Sequence, residues 1–122
     1  MIVIVCGSRD VQPTVRNTVV EVLNSLEKPF DMYSGGAKGI DTMAVDWAKQ
    51  NNIVYKEYYP DWKNKGKAAG YYRNAEMMSD AISKCGVENV SVLAFWNGRS
   101  SGTKHMIELA EKYSTKLSVV NI

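Results

Sequence analysis

Glycines and anion-binding side chains occur together at four points of this 122-residue sequence. All nine glycines except Gly86 fall into short segments that each follow an apolar run. Glycine lets a ligand approach the backbone closely, and exposed N–H groups at a helix N-terminus bind anions, phosphate above all. Arginine, lysine and hydroxyl side chains in the same segments also suit phosphate. The pattern therefore indicates a site for an anion or a nucleotide.

Fifteen residues of these segments are candidate ligand-binding residues. They are Gly7, Ser8, Arg9, Ser34, Gly35, Gly36, Lys38, Gly39, Asp41, Arg73, Asn74, Gly98, Ser101, Gly102 and Thr103. Each segment alone is weak evidence, because "GGAKG" fits neither the Walker A loop nor the dinucleotide G-x-G-x-x-G pattern. A tight turn explains one glycine without any ligand, whereas four such segments on one edge are harder to explain by turns alone.

Some of these polar and aromatic side chains have two interpretations. Asp41 is placed to act as a helix N-cap that accepts an N–H of its own helix, or to contact the ligand directly, for instance at a ribose hydroxyl. Trp62 and Trp96 are the aromatic residues best placed to stack on a base, with packing as the alternative. Trp47 lies on an apolar helical stripe and is expected in the core.

The sequence predicts no metal site and no resident cofactor. His105 is the only histidine, and no cluster of acidic residues or cysteines surrounds it. Metal sites in proteins are built from such clusters. A Ser–His–Asp arrangement cannot be argued either.

The elements that must position these residues alternate between strand and helix. Apolar runs predict strands at residues 2–6, 30–33, 53–59, 90–96 and 117–121. Helical periodicity predicts a helix from Pro13 and three further helices marked by Ile40–Ala48, by Tyr71, Ala75, Met78 and Ile82, and by Met106, Leu109, Ala110 and Tyr113. Strands that alternate with helices predict an α/β fold, a Rossmann-like three-layer sandwich with a mainly parallel five-stranded sheet. The strand-to-helix segments then share one edge of the sheet.

Length and composition predict a single domain over residues 1–122. The net charge of +2 is too balanced to imply nucleic-acid binding by itself, although Lys63, Lys65 and Lys67 form a local basic cluster. No apolar run is long enough to cross a bilayer, and "MIVIVC" is too short for a signal peptide. Two cysteines are expected to be reduced thiols in a cytoplasmic protein, Cys6 within the first strand.

Four stretches resemble a known family. They are "VCGSRD" (5–10), "SGGAKGIDTMAVDWA" (34–48), "GKAAGYYRNAEMM" (66–78) and "AFWNGRSSGTKHMIELA" (94–110). In this order and spacing they resemble the SLOG superfamily, most closely its small YspA type, the cpYpsA-related SLOG proteins of unknown function. The superfamily includes DprA/Smf proteins, whose "SG-x-A-R-G-I-D" loop is similar to residues 34–41, and the LOG enzymes, which release a base from a nucleoside monophosphate.

The resemblance implies a Rossmann-like fold that binds nucleotides or nucleotide-derived ligands at the glycine segments. It gives residues 34–41 a phosphate and ribose role, places Arg73 and Asn74 beside the ligand, and puts Gly102 and Thr103 at a second phosphate-binding helix start. It also implies a homo-oligomer, because small SLOG proteins commonly self-associate.

One departure from the LOG pattern affects the expected chemistry. LOG enzymes have P-G-G-x-G-T-x-x-E, whereas "NGRSSGTKHM" has Met106 in place of the glutamate and lacks the proline. A thioether cannot act as an acid or a base. The weak catalytic candidates are Arg73, Glu76 and Asp41, and an i, i+3 ion pair with Arg73 is the favoured role of Glu76.

Three functions follow as hypotheses. The first is a nucleotide-binding sensor, carrier or sequestering module. The second is a hydrolase that cleaves an N-glycosidic or phosphate bond of a nucleotide. The third is a DprA-like single-stranded DNA binder that uses the basic cluster and the neighbouring aromatic residues. No membrane partner is expected.

Overall fold

The protein is described by a computed structural model of residues 1–122, which contains one five-stranded sheet with helices on both faces. The strands are β1 (Ile2–Gly7), β2 (Asp31–Ser34), β3 (Tyr55–Glu57), β4 (Val90–Trp96) and β5 (Lys116–Asn121). The helices are α1 (Val15–Asn24), α2 (Ile40–Gln50), α3 (Trp62–Lys65), α4 (Ala69–Cys85) and α5 (Ser101–Tyr113). The strand order is β3-β2-β1-β4-β5, and every pairing is parallel. The predicted fold class is confirmed.

Two apolar cores cover the two faces of the sheet. On one face, α1 and α2 pack against Val3 and Val5 of β1 and contribute Leu23 and Trp47, as expected for Trp47. On the other face, α4 and α5 cover Ile2, Ile4 and Cys6 with several methionine side chains. Successive side chains of a strand point to opposite faces, so the unbroken apolar run of β1 serves both cores. The three layers follow directly from this run.

The strand order reverses between β1 and β4. From β1 the chain proceeds through β2 and β3 toward one edge, whereas β4 and β5 extend the sheet in the other direction. The loops that follow β1 and β4 therefore diverge, and such a reversal opens a crevice beyond the carboxyl ends of the strands. The Ser8 hydroxyl accepts a hydrogen bond from the Asn97 N–H at 3.2 Å, which joins the two loops at the base of this crevice.

The core-facing stripe of α4 differs from the prediction. Its buried residues are Ala69, Asn74, Met77, Met78 and Ala81, whereas Tyr71 and Ala75 are exposed. The prediction followed apolar side chains and missed that the polar side chain of Asn74 faces inward, where three hydrogen bonds satisfy it. The buried face of α4 is therefore rotated about the helix axis relative to the predicted one, and the Tyr71 ring lies at the surface. On α5, Tyr113 is also exposed rather than buried.

Several boundaries also shift. The helix predicted from Pro13 begins at Val15, after a turn, and the strand predicted over 53–59 is reduced to Tyr55–Glu57. As an edge strand, β3 pairs only with the four-residue β2, which limits its length. The four-residue α3 was not predicted. Both Cys6 and Cys85 are free thiols. None of the five helices has the combination of length and apolar content that crossing a lipid bilayer requires.

Candidate functional site

A cleft of about 830 Å³ lies at the carboxyl edge of the sheet. Its walls come from the segments that follow β1, β2, β3 and β4, together with the first turns of α4 and α5. The four glycine segments of the sequence therefore do meet around one space. The sequence could predict this meeting because the carboxyl ends of parallel strands share an edge.

The lining includes ten of the residues singled out from the sequence. They are Gly7, Arg9, Gly36, Asp41, Trp62, Arg73, Asn74, Ser101, Gly102 and Thr103. Eight others lie outside the lining: Ser8, Ser34, Gly35, Lys38, Gly39, Glu76, Trp96 and Gly98. Gly35 and Trp96, among the latter, hydrogen-bond to residues of the lining. Ser34 is fully buried and its hydroxyl has no hydrogen-bond partner, while the Trp96 Nε1–H donates to the Ser100 carbonyl at 3.1 Å.

The N-terminus of α2 is covered by the backbone of the β1–α1 segment. The Ile40 N–H donates to the Ser8 carbonyl. Gly39 has φ of +75°, and a Cβ there would lie 2.7 Å from the Ser8 carbonyl oxygen and closer still to that of Arg9. Gly39 is therefore required by this close backbone contact. Of the "GGAKG" loop, only Gly36 and Ala37 reach the cleft, while Lys38 is exposed outside it.

Asp41 is a buried carboxyl group at the floor of the cleft. Its side chain is in a residue only 4% exposed, Oδ2 accepts from the Ala37 N–H at 3.1 Å, and Oδ1 has no hydrogen-bond partner. Burial raises the pKa of Asp41 to about 7, against the opposing effects of the Ala37 N–H and of the Arg73 and Arg9 charges. The N-cap interpretation is wrong, because the N-cap of α2 is Gly39 and Asp41 bonds to a residue before the helix.

Arg73 and Asn74 connect three walls of the cleft. The Arg73 Nη1–H donates to the Gly35 carbonyl, and its Nε–H donates to Asn74 Oδ1 at 2.9 Å. The Asn74 amide then donates to the Gly102 carbonyl at 3.1 Å and to His105 Nδ1 at 3.2 Å. Burial lowers the pKa of Arg73, which still carries its charge because an arginine titrates far above neutral pH. The β2–α2 loop, α4 and α5 are thus held together by side-chain hydrogen bonds.

The first turn of α5 presents backbone N–H groups at the cleft. Ser100 is the N-cap, and its hydroxyl accepts from the Thr103 N–H at 3.3 Å. The Asn97 side chain accepts from the Arg99 and Ser100 N–H groups and so fixes the approach to the helix. The N–H groups of Ser101 and Gly102 remain uncapped beside the cleft, where the partial positive charge of the helix N-terminus favours an anion.

Exposed aromatic rings form one rim of the cleft. Trp62 is 51% exposed and Tyr71 is 44% exposed, and both line the cleft together with Tyr59. These rings offer apolar faces for a planar group. The Tyr59 hydroxyl donates to Glu57 at 2.7 Å, and this bond raises the pKa of Tyr59.

Glu76 takes no part in the cleft. It is exposed on α4, and the ion pairs of the protein join Arg16 to Asp46 and Lys56 to Asp80. The predicted pair between Glu76 and Arg73 is wrong, because Arg73 turns toward Gly35 and Asn74. Glu76 is therefore no longer a catalytic candidate.

Comparison with known proteins places the chain in a family. A family model described as "YspA, cpYpsA-related SLOG family" matches residues 1–64. The Gene 61 protein of Mycobacterium phage D29 is 33% identical over 117 residues, which cover 90% of this chain and 88% of that protein. The chain belongs to the YspA-type SLOG family.

A solved structure shows the same fold. This SLOG domain superimposes on DNA processing protein A (DprA) from Streptococcus pneumoniae with a TM-score of 0.72 at 22% sequence identity. The match covers 96% of this chain and 49% of the DprA chain, so the present sequence spans about half the length of that protein. The Rossmann-like architecture predicted from the strand and helix pattern is thereby confirmed.

Two features of this SLOG protein could not be taken from the motifs alone. Met106, which stands where the LOG pattern has a glutamate, is fully buried in the α4–α5 core and does not reach the cleft. The sequence predicts neither a metal site nor a catalytic triad at His105, and in the structure His105 hydrogen-bonds to Asn74 behind the cleft. Its proximity in sequence to "SGT" is a signal that could have drawn attention to it.

Proposed function

We propose that the cleft binds a nucleotide or a nucleotide-derived ligand, and that the protein acts as a sensor, carrier or sequestering module for it. The observation that carries this proposal is the charge of the lining. Four basic side chains, those of Arg9, Lys67, Arg73 and Arg99, share the cleft with two carboxyl groups, those of Asp10 and Asp41. Asp41, whose pKa is about 7, carries only part of a negative charge near neutral pH.

The proposed binding mode follows from the two ends of the cleft. Phosphate oxygens accept hydrogen bonds from the uncapped N–H groups of Ser101 and Gly102 and pair with Arg73 and Arg99. The base lies against Trp62 or Tyr71, because aromatic faces stack on any base. The cleft volume is within the range of small-molecule sites.

The test is calorimetry and thermal shift against a panel of nucleotides that includes cyclic and ADP-ribose-type compounds. Ligands that bind the folded state raise the midpoint of thermal unfolding. Arg99→Ala should make the binding free energy of any ligand that responds less favourable by about 1–3 kcal/mol, the range for hydrogen bonds to charged groups. Lys38→Ala is the matched control, since Lys38 is exposed outside the lining. No response to any compound would refute the proposal.

A hydrolase is the second candidate, and Asp41 is the observation that favours it. A carboxyl group with a pKa of about 7 can exchange a proton near neutral pH, and Arg73 beside it can stabilise developing negative charge. Cleavage of an N-glycosidic or phosphate bond is the reaction class. Mass spectrometry of nucleotides incubated with the protein decides between turnover and binding, and intact substrates after long incubation would exclude this candidate.

Single-stranded DNA is the third candidate ligand. Lys63, Lys65 and Lys67 are exposed next to the aromatic rim, and the Lys65 ammonium lies 4.8 Å from the centre of the Tyr72 ring. Positive charge with exposed aromatic rings suits single strands, and the fold is that of a DNA processing protein. A gel-shift assay at low salt tests this candidate, and the absence of a complex would remove it.

A further inference from the structure

The amide of Asn74 directs its oxygen and both of its N–H bonds toward the walls of the cleft. The residue is 3% exposed. Oδ1 accepts from Arg73 Nε, and the two N–H bonds of Nδ2 point to the Gly102 carbonyl and to His105 Nδ1. An amide nitrogen is only a donor, so Nδ1 of His105 must be the acceptor. The neutral imidazole then carries its proton on Nε2.

We propose that neutral His105 is a positioning residue of the cleft, which locks the amide of Asn74 and through it holds Arg73 and the first turn of α5 in their ligand-binding arrangement. The effect on ligand affinity rests on the proposed function, whereas the coupling between the three side chains does not. His105 itself is not among the lining residues, so it acts through Asn74.

Rotation of the amide cannot compensate for the loss of this acceptor. If His105 gains a proton, Nδ1–H faces the Asn74 NH₂ group and two donors oppose each other. Rotating the amide would restore that one bond, but it would place Oδ1 against the Gly102 carbonyl and the NH₂ group against Arg73 Nε–H. The network is therefore complete only when His105 is neutral.

The groups around His105 agree with a neutral ring. Tyr71 of α4 contacts the imidazole edge-on with 4.7 Å between ring centres. Burial, with a smaller effect from Arg73 of α4, lowers the pKa of His105, and Glu108 of its own helix opposes them. Acidification through this lowered pKa should then release Asn74 and Arg73 together.

Nuclear magnetic resonance of the unliganded protein tests the coupling. Because His105 is the only histidine, ¹⁵N-histidine labelling gives one pair of ring signals. We expect a neutral ring protonated on Nε2 at neutral pH. As the pH is lowered, the Asn74 side-chain NH₂ signals should shift with the same midpoint as the ring. The Arg73 Nε–H signal should show a step at that midpoint, in addition to any step from the titration of Asp41 near pH 7. Signals from Asn74 and Arg73 that stay unchanged while the ring titrates would overturn the proposal.

Two variants separate positioning from general packing. His105→Asn places Oδ1 where Nδ1 lies and keeps an acceptor that does not titrate, whereas His105→Leu removes it. The probe is ADP-ribose, because it lacks the terminal phosphate group that itself titrates near pH 6. Wild type should lose about five- to 150-fold in affinity as the ring gains its proton, the upper range being the full effect of leaving one buried donor unpaired. Asp41 titrates in all three proteins, so each variant is compared with wild type at the same pH. His105→Asn should match wild type at neutral pH and bind more tightly than wild type below the midpoint of the ring, whereas His105→Leu should bind more weakly than His105→Asn throughout.

The two proposals fail in different ways. If no compound of the nucleotide panel binds wild type or either variant, the proposed function is contradicted while the resonance experiment still decides the coupling. If ADP-ribose binds wild type, His105→Asn and His105→Leu equally well, His105 does not position the cleft, and nucleotide binding stands.

Discussion

Arg73 is the basic side chain of the cleft whose position is fixed by hydrogen bonds. Two of its nitrogens bond to Gly35 and Asn74, and Nη2 has no such bond. A lysine could not replace this planar fork, because its ammonium group is a single flexible donor point. The orientation of the Arg73 guanidinium group therefore depends on its bonds to Asn74 and Gly35.

Asn74→Leu should lower the free energy of unfolding by about 2–4 kcal/mol. The substitution leaves the Gly102 carbonyl and Arg73 Nε–H without their partner, and each unpaired buried group costs about 1–3 kcal/mol. Urea denaturation measures the change. Asn17→Leu on the exposed surface of α1 is the control and should stay within about 0.5 kcal/mol of wild type. Equal effects of the two substitutions would contradict the role assigned to Asn74.

Asp41 should make the fold less stable as the pH rises. Its pKa is about 7 in the folded protein and 3.8 as an ordinary side chain, so the folded state binds more protons between these values. The free energy of unfolding then falls from about pH 4 to pH 7, and the loss is complete above pH 7. Asp41→Asn keeps an acceptor for the Ala37 N–H and should be more stable than wild type by roughly 2–4 kcal/mol at pH 8, with little difference at pH 4. Denaturation curves at both pH values test the sign.

At the scale of elements, the two helices that follow β2 and β4 differ in what their N-termini contact. At the start of α2, the backbone of Ser8 and Arg9 lies against Gly39 and accepts from the Ile40 N–H, whereas the residues Ser101 to Thr103 at the start of α5 line the cleft. Glycine-rich sequence precedes both helices. Composition alone could therefore locate the two segments but could not tell which helix start has another part of the backbone packed against it.

Gly39→Ala and Gly98→Ala should differ in stability although both positions have positive φ. Both substitutions force alanine into an unfavourable backbone conformation, at a cost of about 1–3 kcal/mol. Only at Gly39 would the new methyl group also meet the backbone of Ser8 and Arg9, while nothing lies within 4 Å at Gly98. In urea denaturation, we expect Gly39→Ala to lower the free energy of unfolding by at least about 1 kcal/mol more than Gly98→Ala does. A larger loss at Gly98 would show that the contact at Gly39 relaxes freely.

Much of the fold could be predicted because the signals are local. The apolar run of β1 and the helical period of α2 are read within single segments. The buried side of α4 could not, because Asn74 faces the core only through partners 28 and 31 residues away. The meeting of the glycine segments around one cleft could also be predicted, whereas the side-chain contacts within it could not. Topology gathers the segments, whereas the turn of Arg73 away from Glu76 depends on a carbonyl group 38 residues distant.

At the scale of the whole molecule, a small net charge conceals a local concentration of positive charge. The chain carries +2 in total, yet four basic side chains share one cleft. A net charge this small gives little long-range attraction of nucleic acid, which agrees with the proposal of a compact anionic ligand.

Added salt should weaken the binding of a nucleoside triphosphate more than the binding of the monophosphate of the same nucleoside. Screening acts on each pairing between a phosphate group and a basic side chain, and the triphosphate makes more of them. Calorimetric titrations at about 50 and 200 mM salt measure both slopes. Arg99→Ala should reduce the difference between them. Parallel slopes for the two ligands would place the additional phosphate groups outside the cleft.

The bonds from Arg73 to Gly35 and from Asn74 to Gly102 have a consequence for rigidity. They join parts of the chain 38 and 28 residues apart. The cleft is therefore formed when the chain folds and does not need a ligand to assemble it. Little chain entropy then remains to be lost when a molecule enters, and the bound and empty forms should share one backbone.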